Sequence, residues 1–200
     1  PDSEATFNKG WFKSYEETDI RGDFINNYLT IDPAISTEKE ADFTAMVVTG
    51  VDRWNNIYVR DIVREHFTPN EIIRMIFKLS DLWHPKTIGL EDVAWQKTLA
   101  YSMREEMRLR GRSLPIIPVK PGARSKDERI RGLQPLYANG KVFHNYALPN
   151  TRYLEDELMR FPRAKHDDII DSLSYTLDFF TKPRTRTQER LNRGGFLYNG

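Results

Sequence analysis

The amino-acid sequence predicts an α/β fold with one mixed central sheet, three antiparallel strands followed by parallel ones, flanked by helices. Three observations predict it. Strand-like stretches joined by short connections come first, at residues 28–32, 43–51 and 57–66. From residue 68 onward, helix-start signals alternate with short apolar runs, the order of strands linked by crossover helices. Acidic residues fall where these strands end or helices begin: Asp32, Glu91, and Asp167 with Asp168.

Residues 1–27 are polar with isolated aromatics (Phe7, Trp11, Phe12, Tyr15, Phe24) and no sustained period. They read as a lead-in segment with some helix, packed on a domain over 28–181. Along the first strand, alternation puts Tyr28, Thr30 and Asp32 on one face, Leu29 and Ile31 on the other. The turn-forming DRWNN joins the second and third strands into an antiparallel meander. Thr68-Pro69-Asn70-Glu71 is a capping-box pattern with Pro at the first helical position, and Ile72, Ile73, Ile76, Phe77 and Leu79 form an apolar stripe to about Leu82.

A short strand follows over 87–93, with Ile88 and Leu90 on one face, Gly89 and Glu91 on the other. Residues 95–110 form an amphipathic helix stopped by Gly111, and 114–119 another apolar strand. Ser125-Lys126-Asp127-Glu128 is a second capping box, opening a helix with Ile130, Leu133, Leu136 and Tyr137 that ends near Gly140. Residues 141–143 are one more strand. Asn150 caps a helix bearing Tyr153, Leu154 and Leu158. His166-Asp167-Asp168 opens the last helix, which offers Ile169, Ile170, Leu173 and Leu177 to the core. This is the order of a ribonuclease H-like fold. Residues 182–200 are basic, contain glycine and lack periodicity, as expected of a mobile tail.

Composition narrows the function. With 200 residues, 39% of them hydrophobic, the chain can build one compact core. It has no cysteine, which excludes disulfides, thiolate metal sites and a Cys nucleophile, so any metal is held by oxygen or imidazole. No apolar run approaches the roughly 20 residues that span a bilayer, and the polar start has no signal-peptide core, so a soluble intracellular chain is expected. A start at Pro1 points to a piece of a longer polypeptide. No Gly-x-x-x-x-Gly-Lys-Ser/Thr loop occurs, so an ATPase is not encoded in these residues. The net charge of +1 decides nothing about nucleic acid, and the distribution of charge has to.

Each acidic feature has an ordinary explanation by itself: Asp-Pro opens turns, a Glu at a strand end is solvated, and acids at a helix start complement its dipole. Together they point further, because ligands of open sheets bind at the carboxyl ends of strands. Asp171 follows Asp168 by three residues and can share its helix face as a further ligand or a supporting group. His166 reads as a ligand, a proton carrier or a polar residue before a helix. Carboxylates gathered from distant parts of a chain repel one another, and divalent cations are the usual compensation. Two Mg²⁺ or Mn²⁺ ions so held would suit phosphodiester hydrolysis. A paired-acid glycosidase would need one carboxyl in an apolar pocket, and His166-Asp167-Asp168 is too densely charged for that.

FNKGWFKSY, YLTIDPA, IGLED, SKDERIRGLQPLYANGKVF and FPRAKHDDIIDSLSY, in this order and spacing over residues 7–180, resemble the C-terminal nuclease domain of tailed-bacteriophage terminase large subunits. The resemblance implies a ribonuclease H-like domain that cleaves double-stranded DNA with two divalent metals while concatemeric viral genomes are cut and packaged. It implies Asp32 as the metal-bridging acid of the first strand and Glu91 as the acid ending the fourth, with Asp92 as the alternative. Asp168, with Asp167 beside it, is then the acid of the final helix. An upstream ATPase domain, a portal and a small terminase subunit are the implied partners, and host cytoplasm the implied location.

Lys120, Arg124, Lys126, Arg129 and Arg131 cluster in and after a Pro/Gly loop before a helix start, a setting suited to DNA phosphates, or equally a solvated face balanced by Asp127 and Glu128. A second basic run includes Lys182, Arg184, Arg186, Arg190 and Arg193, which would bind phosphates without reading sequence or dock on a protein. Trp54 and Trp95 read as packing residues rather than base-stacking ones. The competing readings are a related nuclease of junction-resolvase or transposase type, and a non-catalytic DNA-binding or motor-docking module.

Overall fold

The computed structural model describes residues 6–34, 43–92, 99–119 and 125–178. Seven strands form one mixed sheet in the order β1-β7-β4-β3-β2-β5-β6. They are β1 (Lys13–Ser14), β2 (Asn26–Asp32), β3 (Thr44–Val51), β4 (Ile57–Glu65), β5 (Thr87–Glu91), β6 (Ile116–Val119) and β7 (Val142–His144). Only β3 runs against the rest, antiparallel to β2 and β4, while β5, β6, β7 and β1 join in parallel. Strand ends from distant parts of the chain therefore share one edge, which is the geometry a composite site needs.

The expected antiparallel meander and the parallel strands beyond it are both present. The lead-in also enters the sheet. Phe7 is fully buried, and β1 adds two residues to the outer edge of β7, locked by the Tyr15 hydroxyl donating to the Val59 carbonyl at 3.1 Å.

Six helices are described: α1 (Pro69–Trp83), α2 (Ala100–Leu109), α3 (Lys126–Arg131), α4 (Gln134–Ala138), α5 (Thr151–Arg160) and α6 (Asp168–Ser174). Both capping boxes form as their sequences specify, Thr68 with Glu71 and Ser125 with Glu128. The helix expected to run from 125 to about 140 is instead broken into α3 and α4. Pro135 explains the break, since it has no N–H to give the Arg131 carbonyl and its ring crowds that carbonyl. Asn150 precedes α5 without capping it, and its side chain donates to the Ile62 carbonyl at 2.9 Å. Gly111, at φ +59°, ends α2 where a left-handed residue was required. The stretch 93–98, with Trp95 and the expected start of that helix, lies outside the described residues.

Alternation along the strands divides the interior in two. Leu29, Ile31, Met46, Ile88 and Leu90 face α1 and α2, and meet Ile76, Phe77, Leu79 and Met103 there. Tyr28, Val47, Val59 and Val142 face the other way, against Ile130, Tyr137, Leu154, Leu158, Ile169 and Leu173 of α3 to α6. The second face is the one that carries Thr30 and, at the strand's end, Asp32.

Candidate active site

Register brings the first two acids together. β2 and β5 pair in parallel with Thr30 beside Gly89 and Ile31 beside Leu90, so one step further Asp32 and Glu91 close adjacent strands on the same side. Helix α6 crosses this face. Its Ser172 hydroxyl donates to the Thr30 carbonyl at 3.0 Å, and Thr176 meets Thr49 across 3.4 Å. Asp168 stands one helical turn before Ser172, which carries it toward the end of β2. Asp168 and Asp171 are both buried, and Asp167 is half-buried.

The electrostatics record this crowding. Burial and the Asp171 charge push the Asp32 carboxyl up, Lys126 pulls it back, and Asp168 and Glu91 push it further, leaving it at about 8. Four acids from β2, β5 and α6 thus feel one another.

Helix α3 supplies the counter-charge. Its capping box fixes where the helix begins, so Lys126 and Arg129, three residues apart, reach the same face. Lys126 Nζ lies 2.7 Å from Asp167 Oδ1 and 3.4 Å from Asp171 Oδ2. Burial by itself would lower the Lys126 ammonium, but its hydrogen bond to Asp167 and the charges of Asp171 and Asp32 outweigh that and raise it. Arg129 donates to Asp171 Oδ1 at 2.7 Å and to the Tyr175 hydroxyl at 3.3 Å.

Arg129 corrects the sequence reading. Grouped there with DNA-facing cations, it is 6% exposed with its guanidinium committed to Asp171, so it does not face solvent as a phosphate contact would. Arg131 is exposed and donates to the Thr6 hydroxyl at 3.1 Å while covering the Phe161 ring. Lys120, Arg124, Lys182, Arg184, Arg186, Arg190 and Arg193 lie outside the described residues. His166 Nδ1 stands 4.0 Å from Asp168 Oδ2, too far for a hydrogen bond. Trp54 is exposed in its hairpin turn, with the Arg53 guanidinium 4.1 Å from its ring centre.

Sequence reasoning passed over Tyr175, Arg64 and Glu157. Tyr175 shares Arg129 with Asp171. Glu157, on α5, is buried beneath the start of α6, where burial drives its carboxyl up to about 7 against the backbone N–H groups and Arg64 that favour its charge. No local motif marks these residues, because each owes its place to contacts between elements distant in sequence.

Chemically the acids suit a hard divalent cation, since every donor is an oxygen, and Asp32 is raised by burial first and by the neighbouring acids second. As the side chains lie, no group of three among the described residues is arranged to hold an ion. Asp167 and Asp171 are held by Lys126 and Arg129 instead.

The strand order and the helix across β2 define a ribonuclease H-like α/β fold. Among solved structures, the chain has the fold of viral terminase nuclease domains. The human cytomegalovirus terminase nuclease domain matches with a TM-score of 0.59 at 16% identity, covering 82% of this chain and 88% of that one. The large terminase nuclease of the thermophilic phage G20c matches at 0.58 and 18%, covering 88% and 99%. The P22 large terminase nuclease domain matches at 0.58 and 12%, covering 86% and 89%. The G20c nuclease is also known with bound zinc and with bound cobalt. At these identities the likeness establishes the fold. No family model matches the chain, and no curated protein matches it by sequence. No helix among the described residues is long and apolar enough to cross a membrane.

Proposed function

We propose that this chain is a metal-dependent endonuclease for double-stranded DNA, the nuclease part of a viral terminase that cuts concatemeric genomes during packaging. The observation that supports the reading is that Asp32 ends β2 beside the end of β5 and feels the charges of Asp171, Asp168 and Glu91, which come from elements far apart in sequence, in a fold shared with terminase nucleases. Asp32 and Glu91 would hold metal from the sheet and Asp168 from the helix, with Asp167 as an additional oxygen donor. Mg²⁺ or Mn²⁺ is the expected cofactor, and the zinc and cobalt forms of the G20c nuclease support a divalent ion. Two such ions would supply charge to neutralise the phosphate, to lower the pKa of a water and to stabilise the leaving oxygen.

The protein's own groups prepare for that. Arg129 pins Asp171 and so steadies the helix that presents Asp168. Lys126 offsets negative charge at the site and, 40% exposed, is within reach of an entering phosphate. Arg131, with Lys120 and Arg124 shortly before it in the sequence, would extend the DNA contact. By resemblance, an upstream ATPase domain, a portal and a small terminase subunit are the partners, in the host cytoplasm.

The test is nicking and linearisation of supercoiled plasmid by the purified chain with Mn²⁺, Mg²⁺ or EDTA, beside Asp32→Ala. Cutting that needs metal and is lost in the variant supports the proposal. Cutting that persists in EDTA, or unchanged cutting by Asp32→Ala, overturns it.

A further inference from the structure

Helix α6 is capped from outside its own chain segment. The first amides of a helix have no partner within it, and Asp is among the residue types best suited to serve them from the N-cap position. Asp167 occupies that position yet makes no cap hydrogen bond, because its carboxylate is turned to Lys126. Glu157 of α5 does the work. Its Oε2 accepts from the Ile169 N–H at 2.9 Å and the Ile170 N–H at 3.0 Å, the two residues directly after Asp168.

The arrangement is costly to build. A carboxylate 4% exposed loses its hydration, and only hydrogen bonds and a counter-charge make that tolerable. The counter-charge is Arg64 at the end of β4, with Nε 3.8 Å from Glu157 Oε1 and the side chain 11% exposed. The Arg64 guanidinium is in turn held over Phe43, 3.6 Å from the ring centre, with the Tyr153 ring centre at 5.2 Å. A solvated cap at Asp167 would have satisfied the amides at far less cost. What the buried clamp adds is a fixed position for the first turn of α6, set from α5 and β4, while Asp167 stays turned to Lys126.

We infer that Glu157, backed by Arg64, is a positioning residue of the nuclease site: it holds the Ile169 and Ile170 amides so that Asp168 meets Asp32 and Glu91. The inference rests on the nuclease reading above. Its expected size is that of a group supporting a metal ligand, about 10- to 100-fold in metal affinity or activity.

The experiment compares wild type, Glu157→Ala, Glu157→Gln and Leu79→Ala, the last destabilising the opposite core without touching α6. Three quantities are read: hydrogen exchange at the Ile169 and Ile170 amides, Mn²⁺ binding by calorimetry, and kcat and KM for plasmid cutting. Glu157→Ala should speed exchange at both amides, and weaken Mn²⁺ binding and lower kcat by at least about 10-fold with KM within about twofold. Glu157→Gln, whose amide oxygen still accepts both N–H groups but which leaves Arg64 without its counter-charge, should restore part of each. Leu79→Ala should lose comparable Tm and none of them. If Glu157→Ala does not fold, Glu157→Asp, one methylene short of both amides, takes its place. Mn²⁺ binding and kcat in Glu157→Ala no worse than in Leu79→Ala overturn the inference, as does a Gln variant as impaired as Ala. Wild type that binds Mn²⁺ without cutting removes the nuclease reading alone, since exchange and Mn²⁺ affinity still judge the clamp.

Discussion

On one face of the sheet, α1 and α2 bury Ile72, Ile76, Phe77, Leu79 and Met103 and bring in one buried polar side chain among the described residues, Ser80. On the other, α3, α5 and α6 bury Arg129, Glu157, Asp168, Asp171 and Ser172 beside Tyr137, Leu158 and Ile169. Both faces belong to the same strands, one residue out of phase. Folding needs apolar burial and gains nothing from buried charge that an apolar side chain could not supply. The first face is therefore the stabilising one, and the second carries desolvated charge, with Asp167 and Asp171 held by Lys126 and Arg129.

The sharpest break between the faces is catalytic. Asp32→Ala should lower plasmid cutting on the order of 1,000-fold, several kcal/mol of transition-state stabilisation, with far-UV circular dichroism unchanged. Residual cutting within tenfold of wild type would remove Asp32 from the site.

Next come two variants that cost similar stability for opposite reasons. Arg129→Ala removes the nearer cation of the buried Asp171 carboxylate, leaving it Lys126 at 3.4 Å, and should cost about 3 kcal/mol in urea unfolding. Leu79→Ala leaves a cavity in the apolar face and should cost about 2–5 kcal/mol. The difference appears in activity at a temperature where both are folded: Leu79→Ala keeps the wild-type cutting rate and Arg129→Ala does not. Equal rates in the two would erase the contrast between the faces.

The smallest effect is a pH dependence. The Asp32 carboxyl stands at about 8 when folded against 3.8 ordinarily, so between those values the folded protein retains a proton that the unfolded chain has lost. Stability from this group is whole below about pH 4 and is lost as pH rises through 8. Asp32→Asn removes that loss. In metal-free buffer its Tm should exceed that of wild type by at least about 2 °C at pH 8, and by less at pH 5. A Tm difference independent of pH would show that burial and the neighbouring acids do not raise the Asp32 carboxyl.

Much of this was legible in the chain itself. The strand around Leu29, both capping boxes and the glycine stop at Gly111 are signals carried by a few adjacent residues, and they formed where expected, while the strand around Ile88 ends at Glu91, short of the expected 93. The end of α3 was legible too, in Pro135, had its missing N–H been weighed against the apolar period. Two-residue β1 was not: a pairing so short carries no period, and it exists because β7 offers an open edge. Arg129 was misread because a cation's neighbours in sequence do not say which acid it faces.

By itself the sequence determined the alternation that gives the sheet two faces, the places where helices begin, and the positions of Asp32, Glu91 and Asp168 at the ends of their elements. These follow from local geometry, since a period of two or of 3.6 residues sets the direction of each side chain relative to its own backbone. Only the tertiary structure decided that Lys126 and Arg129 neutralise Asp167 and Asp171, and that Glu157 rather than Asp167 caps α6. Coulomb and hydrogen-bond energies depend on separation in space and on the water excluded between partners. Arg129 and Asp171 lie 42 residues apart in sequence, and the packing of α3 on α6 sets both quantities for them.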